Sequence, residues 1–110
     1  MSRVPEHCQV FTTTDSRTAA DELARGAVEA RLAACAQVTG PVTSSYWWDG
    51  AVQTAEEWLV VLKTASDRYA ALEAHLRAHH GYEVPEILYV PVVAGHPGYL
   101  DWLTRETRPR

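Results

Sequence analysis

Strand-like alternation marks some stretches of this chain and a helical stripe marks others, and their order along the sequence outlines a fold. Residues 8–14 are rich in β-branched and aromatic side chains, and Thr14, Asp15 and Ser16 then offer side-chain oxygens suited to a helix start. Over 16–33, apolar residues recur at Ala20, Leu23, Ala24, Ala27 and Val28, the spacing of a helix packed on one face, with Arg17, Asp21, Glu22, Arg25 and Glu29 largely opposite. A second strand follows Cys35 through Val38, Val42, Tyr46 and Trp48; Gly40-Pro41 interrupts it, and a proline that cannot donate to the ladder predicts a bend or bulge there. Asp49-Gly50 tolerates the positive φ values of a tight hairpin turn. Residues 54–64 alternate Trp58, Val60 and Leu62 with Glu57, Leu59, Val61 and Lys63, so both faces of this third strand are expected to be covered. Ser66 and Asp67 are placed to cap a second helix through about residue 78, with Tyr69, Leu72 and Leu76 on its apolar side and His79, His80 and Gly81 at its end. A fourth strand is predicted over 87–94. A short last helix opens with Pro97 and carries Tyr99, Leu100, Trp102 and Leu103, and the polar tail 105–110 is expected to fray.

Strand, helix, strand, strand, helix, strand is the split βαβ arrangement, and the fold class is α+β: a ferredoxin-like βαββαβ domain with an antiparallel sheet and a short C-terminal helix. We read residues 1–110 as one domain with an ordered core of about 8–105, and expect the strand order 4-1-3-2. The right-handed crossover rule puts both helices on one sheet face. The other face, with Leu59, Val61 and the tryptophans, is then bare, and packing against copies of the same chain is the simplest way to cover it.

Composition narrows the class. At 110 residues with 46% hydrophobic and 22% charged, the chain has a folded protein's balance and room for one core. A formal net charge of −4 and ten scattered Lys and Arg residues supply no basic stripe, which argues against nucleic acid as a partner. No run of about 18 apolar residues suggests a membrane span, and residues 1–9 do not resemble a signal peptide, so the cytoplasm is the expected location. Cys8 and Cys35 lack any metal or redox spacing and are expected to be free thiols on non-neighbouring strands.

Five segments bear a family resemblance: Leu32-Ala33-Ala34-Cys35, Ser44-Ser45-Tyr46-Trp47-Trp48-Asp49-Gly50, Glu57 through Lys63-Thr64, Tyr82-Glu83-Val84-Pro85-Glu86-Ile87, and Tyr99-Leu100-Asp101-Trp102-Leu103. In this order, over roughly residues 8–105, they resemble the CutA family of divalent-cation tolerance proteins. The resemblance implies a trimer of ferredoxin-like subunits built like the PII signalling proteins, with long hairpins crossing subunit boundaries, and an association with copper and divalent-ion tolerance. One departure is Gly81, where the family usually carries proline in a His-Pro-Tyr-Glu sequence.

The candidate chemistry is sparse. His80 matches the family motif and is a candidate ligand for Cu2+ or another divalent metal; the alternative is a histidine that bonds backbone carbonyls or a carboxylate. Cys35 is a candidate thiolate ligand or a small buried hydrophobe. His75 and His79 share a helix face at a spacing that suits metal ligation when a third ligand converges, or are solvated at a helix end. Glu57 and Lys63 lie about 20 Å apart on one strand face, too far for a direct pair. With Tyr46, Trp48, Tyr82 and Glu83 they are candidates to line an intersubunit pocket for a small ligand; structural ion pairs and interface packing are the alternative. No Ser-His-Asp set, phosphate-cradling loop or acid-base pair is recognisable, and no catalytic residue is assigned. The expected function is a non-enzymatic, homotrimeric divalent-cation tolerance protein; the rivals are a scaffold trimer for partner proteins and an enzyme with an active site between subunits.

Overall fold

The structure, a computed structural model, describes residues 5–109. Strand β1 (His7–Thr14) leads into helix α1 (Arg17–Glu29), a long hairpin pairs β2 (Cys35–Trp48) with β3 (Ala51–Ala65), helix α2 (Tyr69–His79) returns to β4 (Ile87–Val92), and helix α3 (Pro97–Glu106) closes the chain. The sheet order is β2-β3-β1-β4 with every pair antiparallel. This is the predicted topology read from the other edge.

Each turn has a local cause. Ser16 caps α1, its hydroxyl accepting from the Ala19 N–H at 3.0 Å. The helix stops at Glu29, short of the predicted residue 33. Arg31 takes φ 62°, its N–H bonds Val28 O and the Leu32 N–H bonds Ala27 O, the paired bonds of a Schellman stop without the usual glycine. Asp49 and Gly50, at φ 51° and 77°, join Trp48 directly to its partner Ala51. The register of β2 shifts between Thr39 and Val42, where Gly40-Pro41 was expected to break the ladder.

Two predicted ends are corrected. Ser66 and Asp67 do not cap α2. They form a 3-10 turn with Arg68 that leads into it, while Ser66 Oγ bonds Tyr89 Oη at 2.9 Å and Asp67 binds Arg108. The tail does not fray at 105: α3 runs to Glu106, Thr107 is buried and donates to Leu103 O at 2.7 Å, and Arg108 makes two bonds of 2.8 Å to Asp67. Polar residues that look solvated in the sequence find their partners only once the chain folds. Residues 1–4 and Arg110 of the predicted domain lie outside the described residues.

The core lies between the sheet and the first two helices. Cys8, Val10, Val60 and Leu62 on one sheet face meet Ala20, Leu23, Ala24 and Ala27 of α1 and Leu72 and Leu76 of α2. The cross-strand register puts Gln9, Phe11 and Thr13 on the opposite face beside Lys63, Val61 and Leu59. Among the described helices α3 lies over one end of that open face, through Tyr99 near Cys35 and Lys63 and Thr104 on His7.

Candidate functional site

The predicted site residues fall into two groups at opposite ends of the open face. At one end the α2–β4 loop folds over the finish of β1. His80 Nδ1 accepts from the Tyr82 N–H at 3.0 Å, and Nε2 donates to Thr13 O at 2.9 Å with Thr12 Oγ1 at 3.1 Å. A backbone N–H can only donate and a carbonyl can only accept, so the ring is the neutral Nε2–H tautomer with both nitrogens engaged. His80 here holds the loop down. A Cβ placed on Gly81 would meet nothing within 4 Å.

The loop so anchored delivers Tyr82, whose hydroxyl donates to Glu57 Oε2 at 2.8 Å. Burial and then the Glu57 carboxylate push the Tyr82 phenol well above its ordinary range, with Asp15 and Tyr46 close enough to add to the effect. Burial, followed by repulsion from Glu57, also raises the Glu86 carboxyl. Glu57, Tyr82, Tyr46, Asp15 and Glu86 therefore form one acidic and aromatic corner, in which Asp15 was read only as a helix-start residue and Glu86 only as part of the 82–87 resemblance. Glu83 is exposed beside it, and Trp48 is exposed at the far tip of the hairpin.

At the other end, Lys63 lies with Nζ 5.9 Å from the centre of the Tyr99 ring, and Cys35 Sγ is 3.5 Å from the Tyr99 hydroxyl. The hydrogen bond to Cys35 and then burial push the Tyr99 phenol up to about 12. The similarity of 99–103 to the family motif was the signal for Tyr99; its contact with Cys35 spans 64 residues and has none. Cys35 of β2 pairs with Lys63 of β3, which pairs in turn with Gln9 of β1, while His80 sits at Thr12 and Thr13, up to four residues farther along β1, or about 13 Å. The single chain does not bring the two candidate metal ligands together. Among the described residues no three His, Cys, Asp or Glu side chains converge on a point that would hold a metal.

Cys8 belongs to neither group. It is fully buried in the helix-side core, where burial pushes its thiol up to about 11, partly offset by Ser66. Both cysteines are free, and β3 separates their strands.

A ferredoxin-like domain with a long hairpin, one open sheet face and no three-ligand metal cluster among the described residues is the class these features define. Residues 8–106 match the family described as CutA1 divalent ion tolerance protein, and the chain belongs to that family. It is 38% identical over 99 residues to the rice Protein CutA 1, chloroplastic, covering 90% of this chain and 56% of the relative. It is 39% identical over 98 residues to the Divalent-cation tolerance protein CutA of Thermus thermophilus, covering 89% and 95%. The chain spans a little over half the length of the plant and animal relatives it matches. Among solved structures, CutA1 of a psychrotrophic Shewanella superposes with a TM-score of 0.93 at 34% identity, covering 97% of this chain and all of that one. The solved Thermus thermophilus protein superposes at 0.90 and 37%, covering 93% and 99%. No described helix is long and apolar enough to cross a membrane.

Proposed function

We propose that the chain works as a homotrimeric, non-catalytic divalent-cation tolerance protein that binds copper or another divalent ion, or a small ligand, in clefts where its subunits meet. The observation that carries this reading is the open sheet face. Phe11, Leu59 and Val61 are only half buried, Leu88 is 52% exposed, and Tyr46 and Trp48 at 42% and 58% continue the same face along the hairpin. A surface of this kind needs a partner, and the chain's own copies present the matching face. Both candidate groups border it, so subunit contact adds donors to each. Cys35 offers a soft sulfur suited to copper, and Glu57 and Glu83 offer oxygens suited to harder divalent ions. The cytoplasm is the compartment proposed with this function, since two free thiols suit a reducing environment.

Copper titration of the wild type beside Cys35→Ser and His80→Ala, with the mass of each followed by light scattering, tests the proposal. Affinity should drop in Cys35→Ser while the trimer persists. His80→Ala should lower stability, because it loses three hydrogen-bond partners, more than it lowers binding. Equal binding by all three proteins, or none, would make the metal link indirect and leave a scaffold.

A further inference from the structure

The helix layer carries a second feature that the intersubunit site does not use. Between α1 and α2 lies a cleft of about 190 Å³ whose walls include Glu22 and Gly26 on one side and His75 and His79 on the other. The two imidazoles are one helical turn apart, with ring centres 4.3 Å apart and planes inclined by 32°. His79 Nδ1 donates to the His75 carbonyl at 2.8 Å. That bond fixes the tautomer and leaves Nε2 of the neutral ring without a proton, the arrangement metal-binding histidines use to present a lone pair. The His75 ring lies against α1 at position 26, where a Cβ would sit 3.6 Å from His75 Nε2, an ordinary packing contact.

We propose that His75 and His79 form a two-imidazole clip for a divalent cation of the Zn2+, Ni2+ or Cu2+ type, at the mouth of the α1–α2 cleft. Two nitrogens four residues apart on a helix are a chelating pair, and imidazole prefers these ions to Mg2+ or Ca2+. No third protein ligand converges among the described residues, so water completes the coordination. The Glu22 carboxylate in the cleft wall attracts the ion through the field and through bound water. The clip lies on the helix side of a single subunit, across the sheet from the open face, and does not depend on the intersubunit reading.

Titrating the full-length chain with Zn2+ while following the imidazole nitrogens by NMR tests the clip. His75 and His79 should shift together and saturate with one ion per subunit, while His80 stays put. His79→Gln, at an exposed position, should weaken this binding roughly tenfold or more, and Glu22→Gln less. Cys35→Ser should leave it unchanged, which separates it from any site between subunits. Imidazole signals of His75 and His79 that stay fixed under millimolar Zn2+, or equal Zn2+ affinity in His79→Gln and wild type, would overturn the proposal.

Discussion

The two faces of the sheet are built from similar residues and have different surroundings. On the helix side, Val10, Val60 and Leu62 are completely buried beneath α1 and α2. One position along the same strands, Phe11, Leu59 and Val61 are only partly covered, and Leu88 of β4 shows half its surface. The difference lies in the connections. Right-handed crossovers place both long helices on one side, and α3 is long enough to shelter only the end around Tyr99 and Leu103. Residue type alone therefore marks both faces as interior, while topology leaves one of them open in the single chain.

The largest expected effect sharpens this contrast. Leu62→Ala empties a fully buried position and should cost about 2–5 kcal/mol in denaturant unfolding. Val61→Ala on the open face should cost a comparable amount only if that face is buried in solution, and a cost near zero would mean that it stays wet. Gly40→Ala comes next: a Cβ at this site would overlap the indole of Trp58, so repacking at the β2 irregularity should cost about 1–3 kcal/mol, measured as a lower Tm.

The smallest expected effect concerns the clamp on α3. Arg108 holds the Asp67 carboxyl below its ordinary range, so the folded chain binds that proton less readily than the unfolded one. Stability from this pair is present above the usual aspartate range and is lost as pH falls through the depressed folded value. The pair is exposed, so Arg108→Ala should cost about 0.2–1 kcal/mol at neutral pH and less once Asp67 is protonated, when only the Thr104 bond of Arg108 is left to lose. An equal cost at both pH values would assign the effect to the Thr104 bond of Arg108 instead.

Most of the fold was legible because its signals are local. The α1 stripe, the Asp49-Gly50 turn, the Gly40-Pro41 irregularity and the strand order follow from periodicity, turn chemistry and the handedness rule. The misplaced ends share a different cause. An arginine in a left-handed helix stop carries no sign of its role, and Ser66, Asp67 and Arg108 spend their polar groups on residues distant in sequence. The candidate site was less legible for the same reason. His80 stood out as a possible ligand, yet its Nε2 bonds Thr12 and Thr13, 68 and 67 residues away, and nothing near His80 announces them. The ties of Glu57 to Tyr82 and of Cys35 to Tyr99 are equally long-range.

The central claim is that the open face is closed by other copies of the chain, and the solution mass of the wild type tests it most directly. Light scattering on dilute protein should give three times the 12.2 kDa subunit, and Trp48→Asp should lose that mass and its folded signal together. A wild type that remains folded at 12.2 kDa would contradict the account.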